Sequence, residues 1–229
     1  MKGIPMPIDL TAELVKEYAL AAGAKVVGIA AAKDFVDAPA GFHPTDALPG
    51  CVSVIVLGLP MPKEAILSDD TIGFIDLRNA VNKQLSDIAK AAAKKIKAAG
   101  YKAKDISGMS GKWADGFTRG PISLKHAAEL AGLGVVGKNY LLHNPTYGNI
   151  LWLNAIFTDA ELAPDPRLDY TICDNCNLCV EACPAHALDT PGTVGKKACS
   201  GTMFKQVSKK WEIVCFQCRK ACPHRFGTQ

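Results

Sequence analysis

The sequence predicts an α+β protein with a cysteine-rich C-terminal unit, on three observations. First, three apolar runs of strand length, residues 25–30 (KVVGIA), 53–58 (SVIVLG) and 149–158 (NILWLNAIFT), flank one long amphipathic helix pattern. Second, 48% hydrophobic and 21% charged residues over 229 positions suit a sizeable buried core and argue against a disordered chain. Third, eight of the nine cysteines fall between Cys173 and Cys222.

Each element has its own signal. Residues 14–22 place Leu14, Val15, Tyr18 and Ala22 on one helical stripe, and Gly23 can stop the helix. Residues 31–50 read as loop, with Pro39, Pro44 and Pro49. From about residue 75 to 99, Val81, Leu85, Ile88, Ala92, Ile96 and Ala99 recur at spacings of three and four, before Gly100. Residues 101–106 are a further candidate strand, and Ser123 a candidate N-cap for a helix through Leu130. Ala163-Pro164-Asp165-Pro166 reads as a linker dividing residues 1–165 from 166–229. No apolar run reaches the roughly 18 residues of a membrane helix, and the N-terminal MKGIPMPIDLT lacks an apolar signal core. The expectation is a cytoplasmic protein.

Residues 173–184 read C-D-N-C-N-L-C-V-E-A-C-P, which is C-x2-C-x2-C-x3-C-P, the bacterial ferredoxin run. Short C-x-x-C steps let one loop wrap three thiolates around a [4Fe–4S] cube, and the fourth cysteine points to the other cluster. Cys215-x2-Cys218-x3-Cys222-Pro223 repeats the end of the pattern, with Cys199 displaced upstream. The expected ligand sets are therefore Cys173, Cys176, Cys179 and Cys222 for one cluster, and Cys183, Cys199, Cys215 and Cys218 for the other. The alternative, two structural zinc sites, does not require C-x3-C-P after each pair. Cys51, before an apolar strand, reads as a buried small hydrophobe. Two clusters imply electron transfer. Each would carry about −2, so the formal charge of +4 becomes roughly neutral and ceases to argue for nucleic acid.

Residues 132–139, GLGVVGKN, contain G-x-G-x-x-G. A dinucleotide fingerprint needs a strand before the first glycine and a helix after the last, with an acid about 20 residues on. Here the glycines follow the helix pattern SLKHAAELA, and the next acid is Asp159. The segment therefore reads as a helix C-cap with a glycine turn, not an NAD site.

The stretch AAELAGLGVVGKNYLLHNPTYGNILWLNAIFTDAELAPD, followed by the cysteine run, resembles the epoxyqueuosine reductases and the related corrinoid-dependent reductive dehalogenases. Residues 48–58 (LPGCVSVIVLG) and the displaced Cys199 share the resemblance, which spans most of residues 10–225. It implies a nitroreductase-like core holding a base-off corrinoid, with FMN as the second choice, and a ferredoxin-like domain with two [4Fe–4S] clusters. It further implies a ferredoxin- or flavodoxin-type electron donor. Thr118, Gly134, Gly137, Lys138 and Asn139 would lie near the cofactor, with Tyr147 and Gly148 shaping the next turn.

Two departures bear on function. The resemblance places a proton-donating acid at the position that holds Thr118, whose hydroxyl cannot donate as a carboxylic acid does. Asp115, nearby, is the alternative acid, against its reading as a solvated loop residue. The chain also ends seven residues after Cys222, without the helical-repeat extension used with tRNA. The expectation is thus an iron–sulfur oxidoreductase acting on a small molecule or on a corrinoid itself, not on tRNA. The alternative is an electron-transfer or corrinoid-reactivating partner without substrate chemistry of its own.

Other side chains carry weaker signals. His43, His126, His143, His186 and His224 form no metal-ligand pattern, though His186 and His224 follow the two Cys-Pro units. Trp152 reads as core, Trp211 as a shield for the second cluster, and Arg119 as an anion contact or a surface ion pair.

Overall fold

The computed structural model describes residues 9–114 and 116–227; the signal-sequence reading of residues 1–8 and the alternative acid Asp115 lie outside them. Helix α1 (Ala12–Ala21) leads into β1 (Val26–Ala31), a 3-10 turn (Ala32–Asp34), α2 (Pro44–Ala47) and β2 (Ser53–Pro60). Next come α3 (Lys63–Leu67), α4 (Thr71–Ala98), β3 (Ala103–Ile106), β4 (Lys112–Ala114), β5 (Phe117–Arg119) and α5 (Leu124–Leu130). Short β6 (Val135–Val136) and β7 (Leu142–His143) precede β8 (Leu151–Thr158). The cysteine-bearing segment holds α6 (Leu178–Glu181), α7 (Lys196–Met203), β9 (Phe204–Val207), β10 (Lys210–Ile213) and α8 (Gln217–Lys220).

The fold is mixed α and β. Its main sheet has the order β1-β2-β8-β3, with every neighbouring pair antiparallel. The apolar runs are continuous because both faces of the sheet are covered. Ile55, Leu57 and Ile156 pack with α1 and α4 on one side. Val54, Val56, Ala155 and Phe157 pack with α5 on the other.

The boundaries differ from expectation where a cap or a short helix decides them. Helix α1 begins earlier because the Thr11 hydroxyl accepts from the Leu14 N–H. Helix α4 begins at Thr71, since the Asp70 carboxylate accepts from the Ile72 N–H at 3.0 Å. That adds Phe74 to the buried stripe. Helix α2 interrupts the expected loop, capped by the His43 ring, which accepts from the Thr45 N–H. Ser123 occupies the N-cap position of α5 but makes no capping side-chain bond.

The expected linker is pinned. The Asp165 carboxylate accepts from the Ile29 N–H at 2.9 Å and pairs with Lys16, and the Asp165 N–H donates to the Ile29 carbonyl. Beyond it the chain returns to the main core. Phe216 stacks on Phe74 with ring centroids 4.2 Å apart, and the buried Arg78 of α4 pairs with Glu212 of β10.

Candidate functional site

The eight C-terminal cysteines gather into two groups. Cys173, Cys176, Cys179 and Cys222 line one small cavity. Cys183, Cys199, Cys215 and Cys218 line a second, larger one. The consecutive motif Cys173–Cys183 is thus split: its fourth cysteine sits with the other group, and Cys222 crosses back. Helices α6 and α8 pack against each other, and Cys183 and Cys222 each follow the end of one of them.

The donor chemistry fits iron–sulfur clusters. Two sets of four cysteines match the four thiolates that a [4Fe–4S] cube takes, one for each iron. Burial pushes the thiols of Cys179, Cys199 and Cys222 up and that of Cys218 to about 11, so a bound metal must displace their protons. Backbone donors already face three sulfurs: the Lys138 N–H meets Cys173 Sγ and the Ala187 N–H meets Cys183 Sγ, each at 3.4 Å, and His224 N–H meets the Cys222 thiol. Such donors favour thiolate.

The glycine segment lies along the first group. Helix α5 closes with the Gly132 N–H donating to the Glu129 carbonyl, and residues 137–141 then form the turn between β6 and β7. No strand precedes the first glycine, which removes the dinucleotide reading. A Cβ on Gly137 would stand 2.7 Å from the His143 ring and 3.2 Å from Cys173 Sγ. The Lys138 ammonium donates to the Cys176 carbonyl and to Asn177 Oδ1. Asn139 Oδ1 accepts from the Leu141 N–H at 3.0 Å and lies 3.0 Å from His143 Nε2. His143 is buried, and burial lowers its pKa to about 4, so it stays neutral. Gly137→Ala is expected to cost about 1–3 kcal/mol by overpacking. It should deplete iron at the first group selectively, readable as a lower iron count with the second group's spectrum retained.

The larger cavity measures about 460 Å³, within the range of single-ligand sites. Its walls come from the loop after β3, from β5, α5, β8 and the cysteine segment. They are mostly apolar, and Lys125, Lys196 and Arg219 are the charged side chains among them. Of the residues expected at a second cofactor, Thr118 and Asn139 line this cavity. Gly134, Gly137 and Lys138 are not among its lining residues. Asn139 lines both cavities and donates to the Cys218 carbonyl at 3.4 Å, so it stands between the two cysteine groups.

Residues 166–189 match the 4Fe–4S binding domain family. The epoxyqueuosine reductase of Gloeobacter violaceus is 29% identical over 197 residues, covering 77% of this chain and 57% of that protein. The Pseudomonas aeruginosa epoxyqueuosine reductase is 28% identical over 69% of this chain and 44% of its own length. The chain is similar to epoxyqueuosine reductases. It spans about half the length of these curated relatives. The structure of epoxyqueuosine reductase from Streptococcus thermophilus superposes with a TM-score of 0.65 at 20% identity, covering 94% of this chain and 67% of that one. A catabolic reductive dehalogenase reaches a TM-score of 0.71 at 21% identity over 93% of this chain and 32% of its own. At these identities the structures show a shared fold.

Within this epoxyqueuosine reductase-like fold several side chains stand apart from their sequence readings. Trp152 is only partly buried: it lines the large cavity beneath the Arg219 guanidinium, 4.9 Å from the ring centroid. Trp211 cannot shield a cluster, being 69% exposed on β10. Arg119 lies over the rings of Phe42 and Phe117 rather than in an ion pair among the described residues. Cys51 is buried and its thiol donates to the Ser53 carbonyl, as a small hydrophobe would. Sequence reading missed Lys125 and Arg219 as cavity residues. Each is a single cation on a short helix, which gives no sign in the sequence of facing a cavity. Among the described residues no helix is long and apolar enough to cross a membrane.

Proposed function

We propose that this chain is a cytoplasmic iron–sulfur oxidoreductase that passes electrons through two [4Fe–4S] clusters to a corrinoid seated at, and larger than, the 460 Å³ cavity. One observation carries the reading: the second cysteine group opens directly into that cavity, with the first group behind it across Asn139. Residues 1–165 would form the nitroreductase-like part of the wall and residues 166–229 the two-cluster ferredoxin-like part.

The residues present suit a corrinoid. The lining is broad and apolar, and Thr118 and the unpartnered Asn149 Oδ1 are available to amide groups at a macrocycle edge. A bound corrinoid supplies a cobalt centre that accepts electrons one at a time and bonds to carbon or halogen. The chain itself excludes water with Phe74, Trp152 and Phe216, and orients the second cysteine group towards the cavity. Electrons would arrive from a ferredoxin- or flavodoxin-type donor.

One observation favours a second reading, an electron-transfer or corrinoid-reactivating partner. Among the described residues no Asp or Glu lines the cavity, and Thr118 stands where the resemblance places an acid. The described wall thus offers a hydroxyl where a carboxylic proton donor is expected.

The test is an anaerobic titration of the iron-loaded protein with cob(II)alamin, followed in the visible. Saturable spectral change is expected, lost when Leu153→Trp fills the cavity. No spectral change at any ratio would contradict a corrinoid site. Turnover of bound cobalamin without consumption of any small substrate would select the second reading.

A further inference from the structure

The most deeply buried cation near the cysteine groups is Arg219, on α8 next to Cys218, 7% exposed. Its guanidinium lies over the Trp152 ring, and its Nη1 has no hydrogen-bond partner. The backbone beside it is fixed: Asn149 Nδ2 donates to the Arg219 carbonyl and Asn139 Nδ2 to the Cys218 carbonyl, each at 3.4 Å. Arginine does not give up its charge in such a place. A desolvated guanidinium is costly unless an anion faces it, and among the described residues no carboxylate lines the cavity. The available anions are the thiolates of the second group. Lys125 lines the same cavity within Coulombic reach of Cys199 and Cys218.

We propose that Arg219, with Lys125 as a second cation, raises the reduction potential of the group held by Cys183, Cys199, Cys215 and Cys218 above that of the first, so that electrons come to rest beside the cavity. The inference rests on the two-cluster reading above. Its sign is electrostatic. Reduction adds one negative charge to the cluster, and a fixed cation nearby stabilises the more negative state. Around the first group the cations are less buried than Arg219: Lys138 is exposed, and Arg225, which donates to the Cys222 carbonyl at 3.0 Å, is partly exposed although its Nε is buried. Water screens such charges far more than it screens a buried one. Two clusters of similar motif would thus differ in potential through the residue after Cys218 and one lysine of α5. Arg219 acts here as a positioning and tuning residue, not as a ligand.

The test is an anaerobic redox titration of the iron-loaded full chain followed by electron paramagnetic resonance, with iron and sulfide counted on every sample. Wild type, Arg219→Gln, Arg219→Lys and Lys125→Gln are compared. Cys199→Ala, which leaves the first group intact, identifies that group's midpoint. Two midpoints are expected in the wild type. The higher should fall in Arg219→Gln and Lys125→Gln while the lower stays, and Arg219→Lys should restore most of the difference. Unmoved midpoints in both glutamine variants, or a shift confined to the first group, would overturn the inference with the two-cluster reading intact. If Arg219→Gln fails to load iron, Lys125→Gln decides alone. A wild type with only about four irons would overturn the two-cluster reading itself, and the inference with it.

Discussion

Cys183→Ala is expected to strip iron from the group that contains Cys199, although Cys183 belongs in sequence to the other motif. About half the iron should be lost, and the remaining spectrum should match that of Cys199→Ala. Cys222→Ala should give the complementary spectrum, matching Cys173→Ala. The reason is geometric: Cys183 lines the large cavity with Cys199, Cys215 and Cys218, while Cys222 lines the small one with Cys173, Cys176 and Cys179. Removing one of four thiolates leaves one iron of the cubane without its protein ligand, so the remaining three hold the cluster poorly. Iron counts with resonance spectra of the reduced variants check this. If Cys183→Ala gave the spectrum of Cys173→Ala, the crossing of the two motifs would be wrong.

Glu212→Ala is expected to destabilise the protein by about 3–5 kcal/mol, because it leaves a buried guanidinium without its partner. Arg78 is fully buried on α4, and two of its nitrogens already lack partners. For a chain of this size the melting temperature should fall by on the order of 10 °C. The double change Arg78→Met with Glu212→Leu should recover most of the loss, since apolar replacement of a buried pair is often neutral. Thermal melting of the iron-loaded variants tests both. A Glu212→Ala protein that melts with the wild type would mean that β10 does not depend on this pair. Because β10 leads through Cys215 to the second cysteine group, the pair also braces one wall of the large cavity.

Much of this was legible in the sequence, for definable reasons. The strands of residues 26–31, 53–60 and 151–158 stand out because both faces of the sheet are buried, leaving no polar alternation to confuse with helix. The long helix declared itself through its stripe, but its first turn did not, because Asp70 caps a segment whose Thr71, Ile72 and Gly73 carry no period. The two sets of cysteines were expected from the bacterial ferredoxin run, whose fourth cysteine points to the other centre, together with the resemblance that carries Cys199. What spacing could not show is where the glycine segment faces. Gly137 lies against Cys173 and His143 because of the β6–β7 turn, a tertiary placement. Arg219 and Lys125 were illegible for a similar reason: a single cation on a short helix looks solvated until the packing around it is known. Trp211 was misread because distance along the chain from Cys199 and Cys215 says nothing of which hairpin face a residue occupies.

The measurement that tests the central claim most directly is the iron, acid-labile sulfide and zinc content of the anaerobically purified chain. Two cubane clusters predict about eight irons and eight sulfides per chain and negligible zinc. About four irons with one spectral species, or two zinc ions without sulfide, would contradict it.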